Sequence, residues 1–311
     1  MTVRSESTFR RVAVVALAYT IFVILWGAIV RITGSGAGCG QHWPTCHGDI
    51  IPQAPTIETL IEFGHRLTSG ICVLVILAGA IIATKTYPRG SATRKLAWWG
   101  FFFIILESLI GAALVLLEYV ALDDSPLRAV WMAGHLLNTF VLSAVMLATI
   151  WSAYGWSISL ARLRSRSLIA VQLLCVGVLL TSMMGAITAL GDTLFPIDVA
   201  STTIVERIRG EQDGVTHFLM QLRIIHPVLS CLVVLALVVV PLQSMSPSRP
   251  REYKWSIVVA SLGASQLVIG LLNIYLSAPG WMQVVHLATA LGLWLSLCWL
   301  WFSAAAERSE A

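Results

Sequence analysis

Eight apolar runs of about twenty residues each, near 12–32, 60–84, 97–120, 127–152, 167–190, 218–242, 255–276 and 281–304, leave this chain few ways to fold. Backbone that enters lipid must satisfy its own hydrogen bonds, so runs of this length become membrane-spanning helices packed on one another. With 57% hydrophobic residues, only 12% charged ones and a mean hydropathy of +0.82, the chain has too little polar surface for a soluble fold. The first run lacks a small-residue cleavage site and continues as far as Arg31, so it reads as a retained helix rather than a signal peptide.

The short loops carry the orientation. Arg10 and Arg11 precede the first run; Lys85, Arg89, Arg94 and Lys95 follow the second; Arg162, Arg164 and Arg166 follow the fourth; Arg249, Arg251 and Lys254 follow the sixth. These loops are expected in the cytoplasm, and an even number of spans puts both termini there, in a cell (inner) membrane. The opposite loops hold Asp49, Glu58, Asp123, Asp124, Asp192, Asp198, Glu206, Glu211 and Asp213. The net charge of +4 therefore reports topology, with lipid as the surrounding partner and no nucleic acid.

Cys72, Cys175, Cys231 and Cys298 lie inside apolar runs and read as small hydrophobes. Cys39 and Cys46 sit in a glycine-rich outward loop, where an oxidising compartment makes a disulfide chemically reasonable. The alternatives are two free thiols or a metal pair, although His42 and His47 are a poor supplement for a zinc site.

The second half looks like a degenerate copy of the first. Gly27-Ala28-Ile29 ends the first run, as Gly185-Ala186-Ile187 ends the fifth before Leu190-Gly191-Asp192. Glu107 precedes Ile110-Gly111 at the spacing at which Gln266 precedes Ile269-Gly270. The expected architecture is all-α: a polytopic membrane protein of eight transmembrane helices forming two pseudo-symmetric four-helix bundles. Residues 1–152 form the N-terminal half, 153–166 a cytoplasmic linker and 167–311 the C-terminal half.

His65, His135, His226 and His286 fall near the outer ends of the four even-numbered runs. One histidine inside a span is most simply a satisfied interhelical hydrogen bond, but four at matched depth call for a function. Two imidazoles from facing helices can fill both axial positions of a haem. Arg31, Arg66, Arg128 and Arg223 lie near the same ends and are candidate partners for haem propionates; taken singly, each also reads as a snorkelling side chain.

Glu62 lies three residues before His65, on nearly the same helical face, where the second half has Arg223 before His226. That asymmetry suggests that one half does chemistry while the other holds a resident cofactor. Taken alone, Glu62 also reads as a solvated residue at the membrane surface. Glu107 is a weaker candidate, placed to hydrogen-bond a buried partner. His42, His47 and His217 belong to outer loops, where solvation is the default.

Thr33-Gly34-Ser35-Gly36-Ala37-Gly38-Cys39-Gly40, then Trp43-Pro44-Thr45-Cys46-His47-Gly48, then Glu62-Phe63-Gly64-His65-Arg66, with the later His135, His226 and His286, form a recognisable series. Over nearly its whole length the chain resembles the haem A synthases, membrane enzymes that convert haem O to haem A for terminal oxidases. The resemblance implies that His226 and His286 hold a permanent haem b and that His65 and His135 flank the substrate haem O. It also implies that Glu62 is the essential acid and that a ring methyl is oxidised to a formyl group by successive, water-dependent hydroxylations. Cys39 and Cys46 match a loop pair proposed to take part in electron transfer. Haem O synthase and a terminal oxidase are the implied pathway partners, with oligomerisation left open.

One departure is that residues 190–196 carry no second cysteine pair, so any thiol chemistry rests on Cys39 and Cys46. The outer loop through Arg209 and Asp213 is also more polar than a tight linker. A competing class is a di-haem cytochrome that shuttles electrons between quinol and a periplasmic partner. A transporter without cofactor is a poorer third.

Overall fold

The computed structural model describes residues 3–159, 161–196, 206, 210, 216–245 and 247–308. Among these, eight helices are long and apolar enough to cross a membrane. They are α1 (Val3–Ile32), α2 (Ile57–Thr86), α3 (Ala92–Leu116), α4 (Pro126–Ala153), α5 (Arg166–Leu194), α6 (Phe218–Ser244), α7 (Pro250–Tyr275) and α8 (Gly280–Ala305). All eight expected spans are present. Most extend a few residues beyond the apolar run, because polar caps outside it close the helices. Thr56, Ser91, Ser125 and Ser165 accept the backbone N–H of Thr59, Arg94, Arg128 and Leu168 at the starts of α2, α3, α4 and α5. Helix α3 instead stops at Leu116, short of the expected 120, since Glu118 turns into the left-handed region with φ 62°. The polar stretch through Arg209 and Asp213 lies outside the described residues.

Each half closes on itself. In the first, α1 packs on α2, α2 on α3, α3 on α4 and α4 back on α1; in the second, the ring runs α5, α6, α7, α8 and back to α5. The halves meet where α4 packs on α5 and α8, and α1 on α8. At that seam Phe140 stacks on Trp294 with ring centroids 5.7 Å apart, and the Trp294 indole N–H donates to the Phe140 carbonyl at 2.8 Å. Helix α4 is accordingly the most enclosed of the eight, whereas α2 shows Ile57, Leu60, Leu67, Ile71 and Leu74 outward at three- and four-residue spacing, a lipid-facing stripe.

The all-α expectation holds, with one three-residue ladder beside the helices. Trp156–Ile158 (β1), within the linker, pairs antiparallel with Ala306–Arg308 (β2) after α8. A short ladder forms here because both segments have left their helices side by side with backbone groups still to pair. Arg162 adds a bond from its guanidinium to the Ala306 carbonyl at 2.6 Å.

Candidate functional site

The four even-numbered helices start at the same end of the molecule, the end that carries the loop from Thr33 to Thr56. His65, His135, His226 and His286 come at the ninth, tenth, ninth and seventh residues of α2, α4, α6 and α8. At 1.5 Å of rise per residue, all four imidazoles stand roughly 9–14 Å inside that end. They line one cavity of about 1130 Å³ that reaches into both halves.

Three of the glycines matched between the halves seat histidines, while Gly111, the match of Gly270, meets none. A Cβ on Gly27 would stand 3.1 Å from the His65 ring, and one on Gly185 would stand 3.0 Å from the His226 ring. Gly270 likewise leaves room for His286, at 3.3 Å. A side chain at any of these positions would have to push an imidazole aside. The second-half pair faces across the cavity with ring centroids 6.3 Å apart and planes at 88°. His226 directs Nδ1 to the Thr181 carbonyl at 3.0 Å, which fixes the ring and presents Nε2.

Glu107 supports His135 in the first half more closely than its sequence position suggests. Its Oε1 lies 3.0 Å from His135 Nδ1, close enough for an ion pair though off the direction of a good hydrogen bond. The same carboxylate accepts from Asn138 Nδ2 at 2.6 Å and from the Thr139 hydroxyl. At the equivalent place Gln266 Nε2 lies 3.3 Å from His286 Nε2 and donates to the His286 carbonyl at 3.0 Å. Asn138, Thr139 and Thr181 are not singled out by the sequence reading; the available signal was a polar pair one turn beyond His135 in an otherwise apolar run.

Glu62 is almost fully buried on the cavity wall, which excludes a solvated surface residue. Its carboxylate turns toward the preceding loop: Oε2 accepts the Cys39 backbone N–H at 2.8 Å, and Oε1 accepts from Arg66. Cys39 and Cys46 are joined in a disulfide, which settles the choice among disulfide, free thiols and metal pair. Among the described residues no group of three or more His, Cys, Asp and Glu converges as a metal cluster.

The four candidate propionate partners all line the cavity, and each is already engaged. Arg31 donates to Ala189 O and Thr193 Oγ1 at 2.7 Å each and to Gln283 Oε1 at 2.8 Å. Arg66 holds Glu62 and the carbonyls of His42 and Thr45. Arg128 binds the carbonyls of Ala121 and Asp123, and Arg223 pairs with Asp192 at 3.0 Å and with the carbonyls of Gly191 and Phe195. Several other buried polar atoms on the wall have no protein partner, among them His65 Nδ1, Thr181 Oγ1, Thr188 Oγ1, Gln266 Oε1, Asn273 Oδ1 and His286 Nδ1.

Of the loop histidines, His42 and His47 are exposed, as expected of an outer loop. His47 Nε2 meets the Gly38 carbonyl at 2.9 Å, and His217 caps the start of α6 while lying 3.4 Å from Asp124.

Residues 10–298 match the family of cytochrome oxidase assembly proteins (COX15-CtaA). Proteins from two strains of Thermus thermophilus named protoheme IX farnesyltransferase are 42% identical over 292 residues, 93% of this chain and 47% of theirs. The chain thus spans about half the length of those relatives. A Bacillus cereus protein named heme A synthase is 41% identical over 103 residues, a third of each chain. With the family matched along nearly all of its length, this chain belongs to the cytochrome oxidase assembly proteins.

Proposed function

We propose that this protein is a haem A synthase: an oxidoreductase that converts a ring methyl of haem O to a formyl group in the first half, with a resident haem b in the second. The observation that carries the reading is one cavity with two seated histidine pairs, only one of which has a buried carboxylate beside it at Glu62. The name heme A synthase borne by the Bacillus relative supports it.

The second-half pair fits a haem iron. His226 on α6 and His286 on α8 would hold that iron through their imidazole nitrogens. Unpartnered wall atoms such as Thr188 Oγ1 and Asn273 Oδ1 would each cost about 1–3 kcal/mol if left so, and a polar-edged ligand satisfies them. The resident haem b supplies a one-electron couple that the amino acids lack.

The protein's own groups do the rest. His65 and His135 orient the substrate, and Glu107 fixes the His135 ring so that Nε2 faces the cavity. Each hydroxylation would exchange one methyl C–H bond for a C–O bond to a water oxygen, releasing two protons and passing two electrons to an external electron acceptor, and the gem-diol left by the second loses water to give the formyl group. Glu62 stabilises the positive charge that develops on that carbon and accepts a proton from the attacking water. By the positive-inside argument the disulfide loop faces outward and both termini face the cytoplasm of a cell membrane. An enzyme that farnesylates protohaem is the proposed supplier, since its product carries the substrate's tail, and a terminal oxidase is the consumer.

Replacing Glu62 with Ala tests the reading. Haem O accumulates while the resident haem b stays bound, as seen by extraction and mass analysis of the haems. Undiminished haem A production in E62A sinks the role of Glu62. Recovery of haem b alone from active wild-type membranes, with neither haem A nor a hydroxylated intermediate, favours the di-haem electron shuttle.

A further inference from the structure

We propose that the closed Cys39–Cys46 loop positions the Glu62 carboxylate and does not carry electrons, and that it acts through Gly38 and Arg66. The proposal rests on the reading of Glu62 as the catalytic acid.

Thr59, Glu62 and Arg66 lie on one face of α2, at i, i+3 and i+7, and that face is the floor on which the loop sits. Thr59 Oγ1 donates to the Gly38 carbonyl at 2.7 Å, and the N–H of that same peptide, on Cys39, donates to Glu62 Oε2 at 2.8 Å. The guanidinium of Arg66 divides its donors. Nε and Nη2 hold Glu62 Oε1, while Nη1 holds the carbonyls of His42 and Thr45 at 2.5 and 2.6 Å. Those two carbonyls lie inside the ring that the disulfide closes. Opening the ring frees them, which releases Arg66 and with it one carboxylate oxygen; the other oxygen is held by the cysteine's own backbone.

Both sulfurs are 0% exposed. Thiol–disulfide exchange requires a thiolate to reach one of them, and the closed loop offers no approach. Burial of this kind suits a fastening better than a relay.

Gly38 separates the two roles. Its backbone is right-handed helical, with φ −64°, a conformation alanine adopts freely. A Cβ there would collide with the Glu58 carbonyl and stand 2.7 Å from the Thr59 nitrogen, so any side chain lifts the loop off α2. G38A therefore disturbs the seat of Glu62 and leaves both cysteines in place.

The test uses the full-length protein in detergent or nanodiscs. In G38A, thiol titration finds the disulfide closed and the second-half haem spectrum is unchanged, yet kcat falls at least tenfold with KM for haem O moving less than threefold. In a second preparation, protein made under reducing conditions, before the disulfide has closed, is bridged at Cys39 and Cys46 with diiodomethane, giving an S–CH2–S link that closes the loop but has no redox chemistry. More than half of the activity survives. Wild-type activity in G38A with an intact disulfide, or loss of activity on methylene bridging, overturns the proposal. Full activity of E62A overturns the reading beneath it, and that result is independent of both loop experiments.

Discussion

A missing side chain decides where an imidazole sits at three of the four histidines. Gly185 is the clearest case, because its hydrogen faces the His226 ring at a place where a Cβ would stand 3.0 Å away. Gly185→Val should therefore displace His226 and, on the proposed function, lower the haem b held per protein at least tenfold by pyridine haemochrome assay; full haem content would refute the seating argument. Glu107→Leu leaves His135, Asn138 and Thr139 without their shared acceptor. Lost support of this kind typically costs about 10–100-fold in metal-ligand affinity, so on the proposed function haem O binding should weaken by that factor with the proposed haem b of the second half retained. The histidines and Glu62 were legible as isolated residues because ionisable groups stand out in apolar runs. The direction in which Glu62 points was not. Helical spacing puts it on the face of His65, but the Cys39 N–H and Arg66 turn its carboxylate to the loop.

Among the elements, α4 has the most to satisfy, since it closes the first ring and faces the second half. An apolar run announces a helix but not its neighbours, because in lipid association rests on packing and interhelical hydrogen bonds rather than on hydrophobicity. Trp294 supplies both to Phe140. Trp294→Phe keeps the stacked ring and loses the N–H bond, which should lower stability by about 0.6 kcal/mol and no more than about 1.7 kcal/mol. Trp294→Ala should cost more, because the stack goes too. Equilibrium unfolding in mixed micelles orders the two; an F variant as weak as the A variant would show that the hydrogen bond, not the stack, dominates. The early end of α3 was hidden for a related reason. Leu116 and Leu117 continue the apolar pattern, and the chain leaves the helix through a backbone conformation at Glu118 that hydropathy does not encode.

At the scale of the molecule, Arg31 ties the halves at the disulfide-loop end. It leaves the end of α1 and bonds α5 at Ala189 and Thr193 and α8 at Gln283. Arg31→Ala leaves Gln283 Oε1 without its donor, at about 1–3 kcal/mol if it stays buried, while the Thr193 hydroxyl keeps its own bond to the Ala189 carbonyl. Amide exchange in residues 186–194 should rise at least tenfold, and Arg31→Lys should restore little, since an ammonium cannot bridge acceptors on two helices as a planar fork does. Unchanged exchange in Arg31→Ala would assign the cohesion of the halves to the α4 seam alone. The sequence made Arg31 a candidate propionate partner near the outer end of its span; the structure keeps it on the cavity wall and shows its donors bonded to the other half.

Length and hydropathy by themselves determined eight spans, because a bilayer permits little else to a run of about twenty apolar residues. Matched positions in the two halves determined which residues repeat, and family membership followed from the loop and Glu62–Arg66 motifs. Only the tertiary structure decided what the repeats are for. Gly27, Gly185 and Gly270 matter through the rings they admit from other helices, and Glu107 through a histidine on α4. It also decided that the arginines serve carbonyls and carboxylates of the protein and that the cysteine loop grips Glu62. Each of these is a contact between segments distant in sequence, set by which helix faces meet, and one-dimensional spacing carries no record of that.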